Sequence, residues 1–240
     1  VWGQGPGVLF MHGWNGRGVQ LHHFFRPLLR AGLSVITFDA PGHGDSDGKT
    51  SSYFQYTDAI RAILNSPNGV NIRAIVGHSL GGAAAVNALS REHRSMPAVL
   101  IAPALKLKEI LFSTFDLYGI PRVVYRKALE MYEQRFGYTL NDDDPHKLLP
   151  AVEAELLIVH DAQDGEIPLQ DSQDAGAKWP HVRLYETEGL GHRRILMNRK
   201  IVGVVTDYLV NRIGAGQVPA AEYKPYSQAT DHIKKVSTAR

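Results

Sequence analysis

Short apolar runs alternate along this chain with longer stretches in which apolar residues recur every three or four positions. Gly7 to Met11, Leu33 to Phe38, Ile72 to Val76, Ala98 to Ile101 and Glu155 to His160 are brief, mostly apolar, and bounded by glycine, proline or polar turn residues. That pattern marks strands buried on both faces. A shorter sixth run covers Val182 to Tyr185. Leu21 to Ala31 reads as a helix stopped at Gly32, with Pro27 forcing a kink or a place in the first turn. Ser51 or Ser52 caps a helix whose apolar stripe is Tyr56, Ile60, Ile63 and Leu64. Another helix runs through Ala83 to about Arg91, and the last, Arg193 to Arg212, carries Ile195, Val202, Val205 and Leu209 at helical spacing. Alternating strands and helices predict an α/β fold, a mostly parallel central sheet flanked by helices, because each crossover must pack back onto the sheet. Active sites of such sheets gather in loops at the carboxyl ends of the strands.

One segment breaks the alternation. Residues 103–150 show no clear strand but a helical, aromatic-rich stretch with Phe112, Phe115, Tyr118, Tyr125, Tyr132 and Phe136. It reads as a small helical cap inserted after the strand ending near Ile101, which divides the core into residues 1–102 and 151–213. Its aromatics either wall an apolar pocket or pack the insert onto the core; Phe115, Tyr118 and Tyr125, with His78, stand as candidates for substrate binding. Asp142-Asp143-Asp144 lacks the interleaved spacing and glycine of a calcium loop and reads as a solvated turn. Over residues 214–240 the composition shifts to Gly, Pro and small polar residues, predicting a loosely attached extension with a short helix over Asp231 to Val236.

The chemistry centres on Gly77-His78-Ser79-Leu80-Gly81-Gly82, between an apolar strand and a helix. G-x-S-x-G acquires chemical meaning in that setting: the glycines relieve crowding in a tight turn, and Ser79 is forced into a strained backbone that projects its hydroxyl. A serine hydroxyl needs a base, a group orienting that base, and donors for the oxyanion formed on a carbonyl. Asp161, Asp164 and Glu166 compete for the acid role after the fifth strand. Asp164 is favoured because it is deep enough in its loop to turn back across the sheet edge. His192, 28 residues further on in Gly189-Leu190-Gly191-His192, is the favoured base, ahead of His181, which falls at the start of its strand. The Leu80 backbone N–H, at the positive end of its helix, and that of Trp14, after His12-Gly13, are the candidate oxyanion donors.

Composition narrows the classes. The 240 residues include 44% apolar and 21% charged, and 26 basic against 24 acidic residues give a formal +2, so nothing points to nucleic acid. The absence of cysteine excludes disulfides, thiolate zinc sites and a cysteine nucleophile together. No apolar run reaches the roughly 18 residues of a membrane span. The expectation is a soluble, cytoplasmic protein without metal or organic cofactor, with a homodimer left open. A chain that opens at Val1, directly before a core strand, leaves room for a removed segment.

His12-Gly13-Trp14, Asp39-Ala40-Pro41-Gly42-His43-Gly44-Asp45-Ser46, the Ser79 motif, and Asp164 followed by Gly191-His192 occur in an order that resembles the alpha/beta-hydrolase superfamily from Gly5 to Arg212. The resemblance implies an eight-stranded, mostly parallel sheet with a cap, Ser79 as nucleophile, Asp164 as acid, His192 as base, and Trp14 with Leu80 as oxyanion donors. His43 is then structural or at the cleft rim, and His78 packs beside the elbow. The family's N-terminal hairpin is missing from this sequence. The function implied is a carboxylesterase-like serine hydrolase acting on an ester or thioester of a small to medium apolar acyl group. A carbon–carbon bond hydrolase or amidase would share every motif. A non-catalytic binding protein would be expected to lack a triad member, and none is missing.

Overall fold

The computed structural model describes residues 1–214. The expected extension beyond Gly214, including its helix over Asp231 to Val236, lies outside the described residues. Six strands, β1 (Gly7–Met11), β2 (Ser34–Thr37), β3 (Ile72–His78), β4 (Ala98–Ile101), β5 (Leu156–Asp161) and β6 (Val182–Thr187), form one sheet in the order β2-β1-β3-β4-β5-β6. Every pairing is parallel. Among the described residues the sheet thus has six strands where the resemblance implied eight. Ahead of β1 there is one antiparallel bridge, Trp2 to Val35.

Side chains alternate across a strand, and each strand therefore feeds two cores. Leu9, Met11, Ile75, Leu100 and Ile158 face one way, onto α2 (Tyr53–Leu64), α3 (Leu80–Arg91) and α7 (Leu169–Lys178). Val8, Phe10, Val76, Val99, Leu157 and Val159 face the other, onto α1 (Phe25–Arg30) and α9 (Arg199–Ile213). Burial on both sides explains why these strands read as unbroken apolar runs.

Two helical expectations are corrected by turn chemistry. The helix expected over Leu21 to Ala31 is a 3-10 segment, Gly18–Phe24, followed by α1, in whose first turn Pro27 needs no N–H partner. The last helix does not run from Arg193. A short α8 (Gly191–Arg194) and a 3-10 turn precede Asn198, whose side chain accepts the N–H groups of Lys200 and Ile201 and starts α9. Ser52 caps α2 by accepting the Gln55 N–H. No helix among the described residues is long and apolar enough to cross a membrane.

Between β4 and β5 lie α4 (Leu107–Leu117), α5 (Arg122–Phe136) and α6 (Pro145–Leu148). Ile110, Leu111, Leu129, Tyr132 and Phe136 seat the base of the α4–α5 hairpin on the core, while Leu117, Tyr118, Val123 and Val124 at its turn are exposed. The Asp142-Asp143-Asp144 turn is not solvated throughout. Asp143 and Asp144 are 4% and 8% exposed. Asp143 pairs with Arg91 of α3, and its backbone carbonyl accepts the Tyr53 hydroxyl at 2.7 Å; Asn87 Nδ2 donates to Tyr53 Oη at 2.9 Å. Asp144 accepts the N–H groups of His146 and Lys108. The three acids look alike in sequence, but Asp143 is buried against a cation 52 residues away and Asp144 against backbone N–H groups.

Arg91→Ala strands the Asp143 carboxylate without its cation and is expected to cost about 1–3 kcal/mol. Calorimetry of the variant should show Tm lower by several degrees.

Candidate active site

β3 runs into α3 through a single residue. Ser79 takes φ 54° and ψ −120°, a left-handed conformation that costs a side-chain-bearing residue about 1–3 kcal/mol. The neighbouring glycines permit it: a Cβ on Gly77 would lie 2.7 Å from Gly81 O and from Gly82 backbone atoms, and one on Gly81 would lie 2.4 Å from His12 O. Ser79 N donates to Ile101 O at 2.9 Å and Ser79 O accepts from Ala104 N at 3.3 Å, which ties the turn to the end of β4.

The loops after β5 and β6 bring Asp164 and His192 together. Asp164 Oδ2 lies 2.7 Å from His192 Nδ1, while Oδ1 accepts the N–H groups of Glu166 and Ile167 at 2.8 and 2.9 Å. Burial raises the proton affinity of Asp164, yet hydrogen bonds from His160, His192 and Ile167 outweigh it and hold the carboxyl well below the usual range. With Nδ1 donating to a carboxylate, Nε2 of His192 is the ring atom left for other work. It lies 3.8 Å from Glu166 Oε2, and among the described residues no hydrogen bond joins it to Ser79 Oγ. The His192 ring is nevertheless beside the elbow. His78 Nε2 donates to His192 O at 3.1 Å, and the two rings lie 4.6 Å apart. Burial, helped by the His192 ring, holds His78 down to about 3, so it is neutral.

Asp161 staples the two loops. It is fully buried, and its oxygens accept the N–H groups of Gln163, Leu190 and Gly191 and the Thr187 hydroxyl, at 2.7–3.0 Å. Asp161, one of the three competitors for the acid role, thus binds the backbone of its own turn and also holds the segment that carries His192. Glu166 pairs with Arg193 at 3.1 Å on the rim.

The loop after β1 is held by His12, whose Nδ1 donates to Gly13 O at 2.8 Å and whose Nε2 accepts from Ala40 N at 2.9 Å. Gly13 packs so closely on the elbow that a Cβ there would meet Ser79 Cβ at 3.1 Å. Asn15 N donates to His43 Nε2 at 3.3 Å, and the buried Tyr56 hydroxyl lies 3.2 Å from the same nitrogen. Among the described residues neither the Trp14 nor the Leu80 backbone N–H has a protein acceptor.

The expected substrate-binding residues are placed differently. His78 is 2% exposed and sits behind the elbow, holding the His192 loop. Tyr125 is buried and packs with Phe112 and Phe115, ring centroids 5.0 and 5.2 Å away, as the hairpin's own small core. Tyr118 is 77% exposed at the hairpin turn. From sequence His160 is only a strand residue and Tyr56 part of a helix stripe; the spacing of His160 four residues before Asp164, at a strand end, is the available signal. Among the described residues no group of three His, Cys, Asp or Glu could hold a metal.

A model of the alpha/beta hydrolase family matches residues 8–203. The chain belongs to that family. This hydrolase-family chain is similar to 2-hydroxy-6-oxo-6-phenylhexa-2,4-dienoate hydrolase of Burkholderia cepacia, 32% identical over 58% of this chain and 52% of that one. It is also similar to pimeloyl-(acyl-carrier protein) methyl ester esterase of Aromatoleum aromaticum, 33% identical over 40% and 36% of the two chains. These matches span about half or less of the relatives' own lengths. Among solved structures, Paleococcus ferrophilus monoacylglycerol lipase shares the fold, with TM-score 0.67 and 20% identity over 87% of this chain and 96% of that one.

Asp161→Asn is expected to lower Tm at neutral pH and to loosen both loops. The folded carboxyl is held below its unfolded value, so its contribution is present above the unfolded pKa of about 3.9 and fades as pH falls through the folded one. The Tm gap between parent and variant should therefore shrink below about pH 4 in calorimetric scans.

Proposed function

We propose that the chain is a serine hydrolase that cleaves a carboxylic ester or thioester through an acyl-enzyme. The observation that carries this reading is the 2.7 Å Asp164–His192 pair beside a serine held at φ 54°. Ser79 Oγ attacks the substrate carbonyl while His192 Nε2 takes its proton, and the imidazolium then gives that proton to the leaving group. Asp164 fixes the tautomer and stabilises the imidazolium. Water, activated by the same ring, releases the acid. The contact between Ser79 and His192 closes in the substrate complex, as catalytic hydrogen bonds often tighten only there. The Trp14 and Leu80 N–H groups, both without protein acceptors among the described residues, receive the oxyanion, each contributing about 3 kcal/mol. The reaction as written uses no metal or organic cofactor. A small to medium acyl group is the assigned substrate class, and the resemblance to a methyl ester esterase supports the ester.

A second reading has an observation of its own. The dienoate named for the Burkholderia relative contains no ester, so its hydrolysis cleaves a carbon–carbon bond. The same three residues would serve, and the substrate would decide.

Hydrolysis of p-nitrophenyl esters of increasing acyl length by the parent, lost by about a million-fold in Ser79→Ala, supports the esterase. Equal rates in the two proteins remove Ser79 from the mechanism. A parent inert on all esters but active on a 2-hydroxy-6-oxodienoate establishes the second reading. Labelling of Ser79 by a fluorophosphonate is expected under either.

A further inference from the structure

Asp164 Oδ2 is shared by two imidazoles. His192 Nδ1 lies 2.7 Å from it and His160 Nε2 3.3 Å. These groups are largely shut away from water: the side chains of His160 and Asp164 are fully buried and that of His192 is 6% exposed. The tautomer of His160 follows from its partners. Nε2 faces two acceptors, Asp164 Oδ2 and Ile167 O at 3.2 Å, and therefore carries the proton. Nδ1, 2.7 Å from Ser172 Oγ, then accepts from the Ser172 hydroxyl. Ser172 is fully buried on α7 and has no other side-chain hydrogen bond among the described residues. The result is a directed chain, from Ser172 O–H to His160 Nδ1 and from His160 Nε2–H to Ile167 O, with Asp164 Oδ2, where His192 Nδ1–H arrives, 3.3 Å from the same His160 nitrogen.

A carboxylate oxygen with a second N–H dipole 3.3 Å away has part of its charge stabilised before His192 draws on it. The acid then competes less for the proton of His192, and the imidazolium is held less tightly. Its other oxygen is fixed by the Glu166 and Ile167 N–H groups, so the carboxylate cannot rotate away. We propose that His160, oriented by Ser172, is a positioning residue for the acid–base pair. It holds Asp164 Oδ2 in line with His192 and sets how much of its charge His192 feels. This rests on the triad reading above.

The other charged or titratable groups near the pair are few. Asp161 lies one residue from His160 on β5, Glu186 is its register partner on β6, and Asp171 precedes Ser172 on α7 and pairs with Lys106. His78 of β3 adjoins His192, as do Glu166 and its partner Arg193. None of these groups is itself substituted in the His160 variants.

Three variants test the proposal. His160→Phe keeps a ring and removes the donor; His160→Gln keeps an N–H near the place of Nε2; Ser172→Ala removes only what orients the ring. The first readout is the low-field imidazole N–H proton of His192, observed by NMR in a Ser79→Ala background, where it does not depend on any substrate. His160→Phe should shift it relative to the parent, and His160→Gln should return it. The second readout is kinetic. In folded His160→Phe, kcat should fall roughly 10- to 100-fold, with KM changed less than about twofold. The acidic limb of the kcat/KM profile should move to higher pH, because His192 then faces an undiluted carboxylate. Gln should recover most of kcat. A folded Phe variant with unchanged resonance, kcat and acidic limb overturns the proposal, as does a Gln variant as impaired as Phe. If His160→Phe fails to fold, Ser172→Ala decides, with changes of the same sign expected and none overturning it. A parent inert on every substrate removes the triad reading, and the resonance still decides whether His160 acts on the pair.

Discussion

A serine with a left-handed backbone, pinned between a buried strand and a buried helix, is the constraint on which the rest of this molecule depends. Such a residue persists only when its surroundings over-determine it. Here Gly77, Gly81 and Gly13 are bare because no Cβ fits, and Ile101 and Ala104 hold the turn from the neighbouring strand end. The strain is held by parallel pairing on both sides of β3 and by three alanines that let α3 lie close to the sheet. Position, more than reactivity, is what the fold supplies to Ser79.

A second constraint concerns charge. Asp164 is shut away from water, and a lone carboxylate there would be protonated. Two N–H groups of its own loop and His192 Nδ1 donate to it, and the His160 Nε2–H, bonded to Ile167 O, lies 3.3 Å away. Asp161, three residues earlier, has four donors of its own, but these hold backbone in place and leave no oxygen for a histidine. Two buried acids in one loop thus take different tasks according to what donates to them.

The strands were legible because burial on both faces writes continuous apolar runs, and β1 and β4 fall on the residues that the pattern marks. The Ser79 turn and the loops of Asp164 and His192 were legible because glycines and polar residues cluster at strand ends. What escaped was decided by distant partners. Nothing local to Asp143 announces Arg91, nothing in a strand ending in His160 announces Ser172 behind it, and the Asn198 cap that starts α9 sits inside an otherwise helical spacing. Of the two readings left open for the cap aromatics, the ring contacts favour packing for Phe112, Phe115 and Tyr125: a hairpin that touches the core only at its base must build a core of its own.

The elbow belongs to β3 and β4, whereas the acid and the base follow β5 and β6, and these four strands are consecutive in the sheet. Each is joined to the next by a helical crossover, so their pairing is non-local and slow to form. A partly assembled sheet has the Ser79 turn without Asp164 and His192, or these two without it. Docking of the β5–β6 half onto the elbow is therefore a late event in folding, behind the formation of the helices.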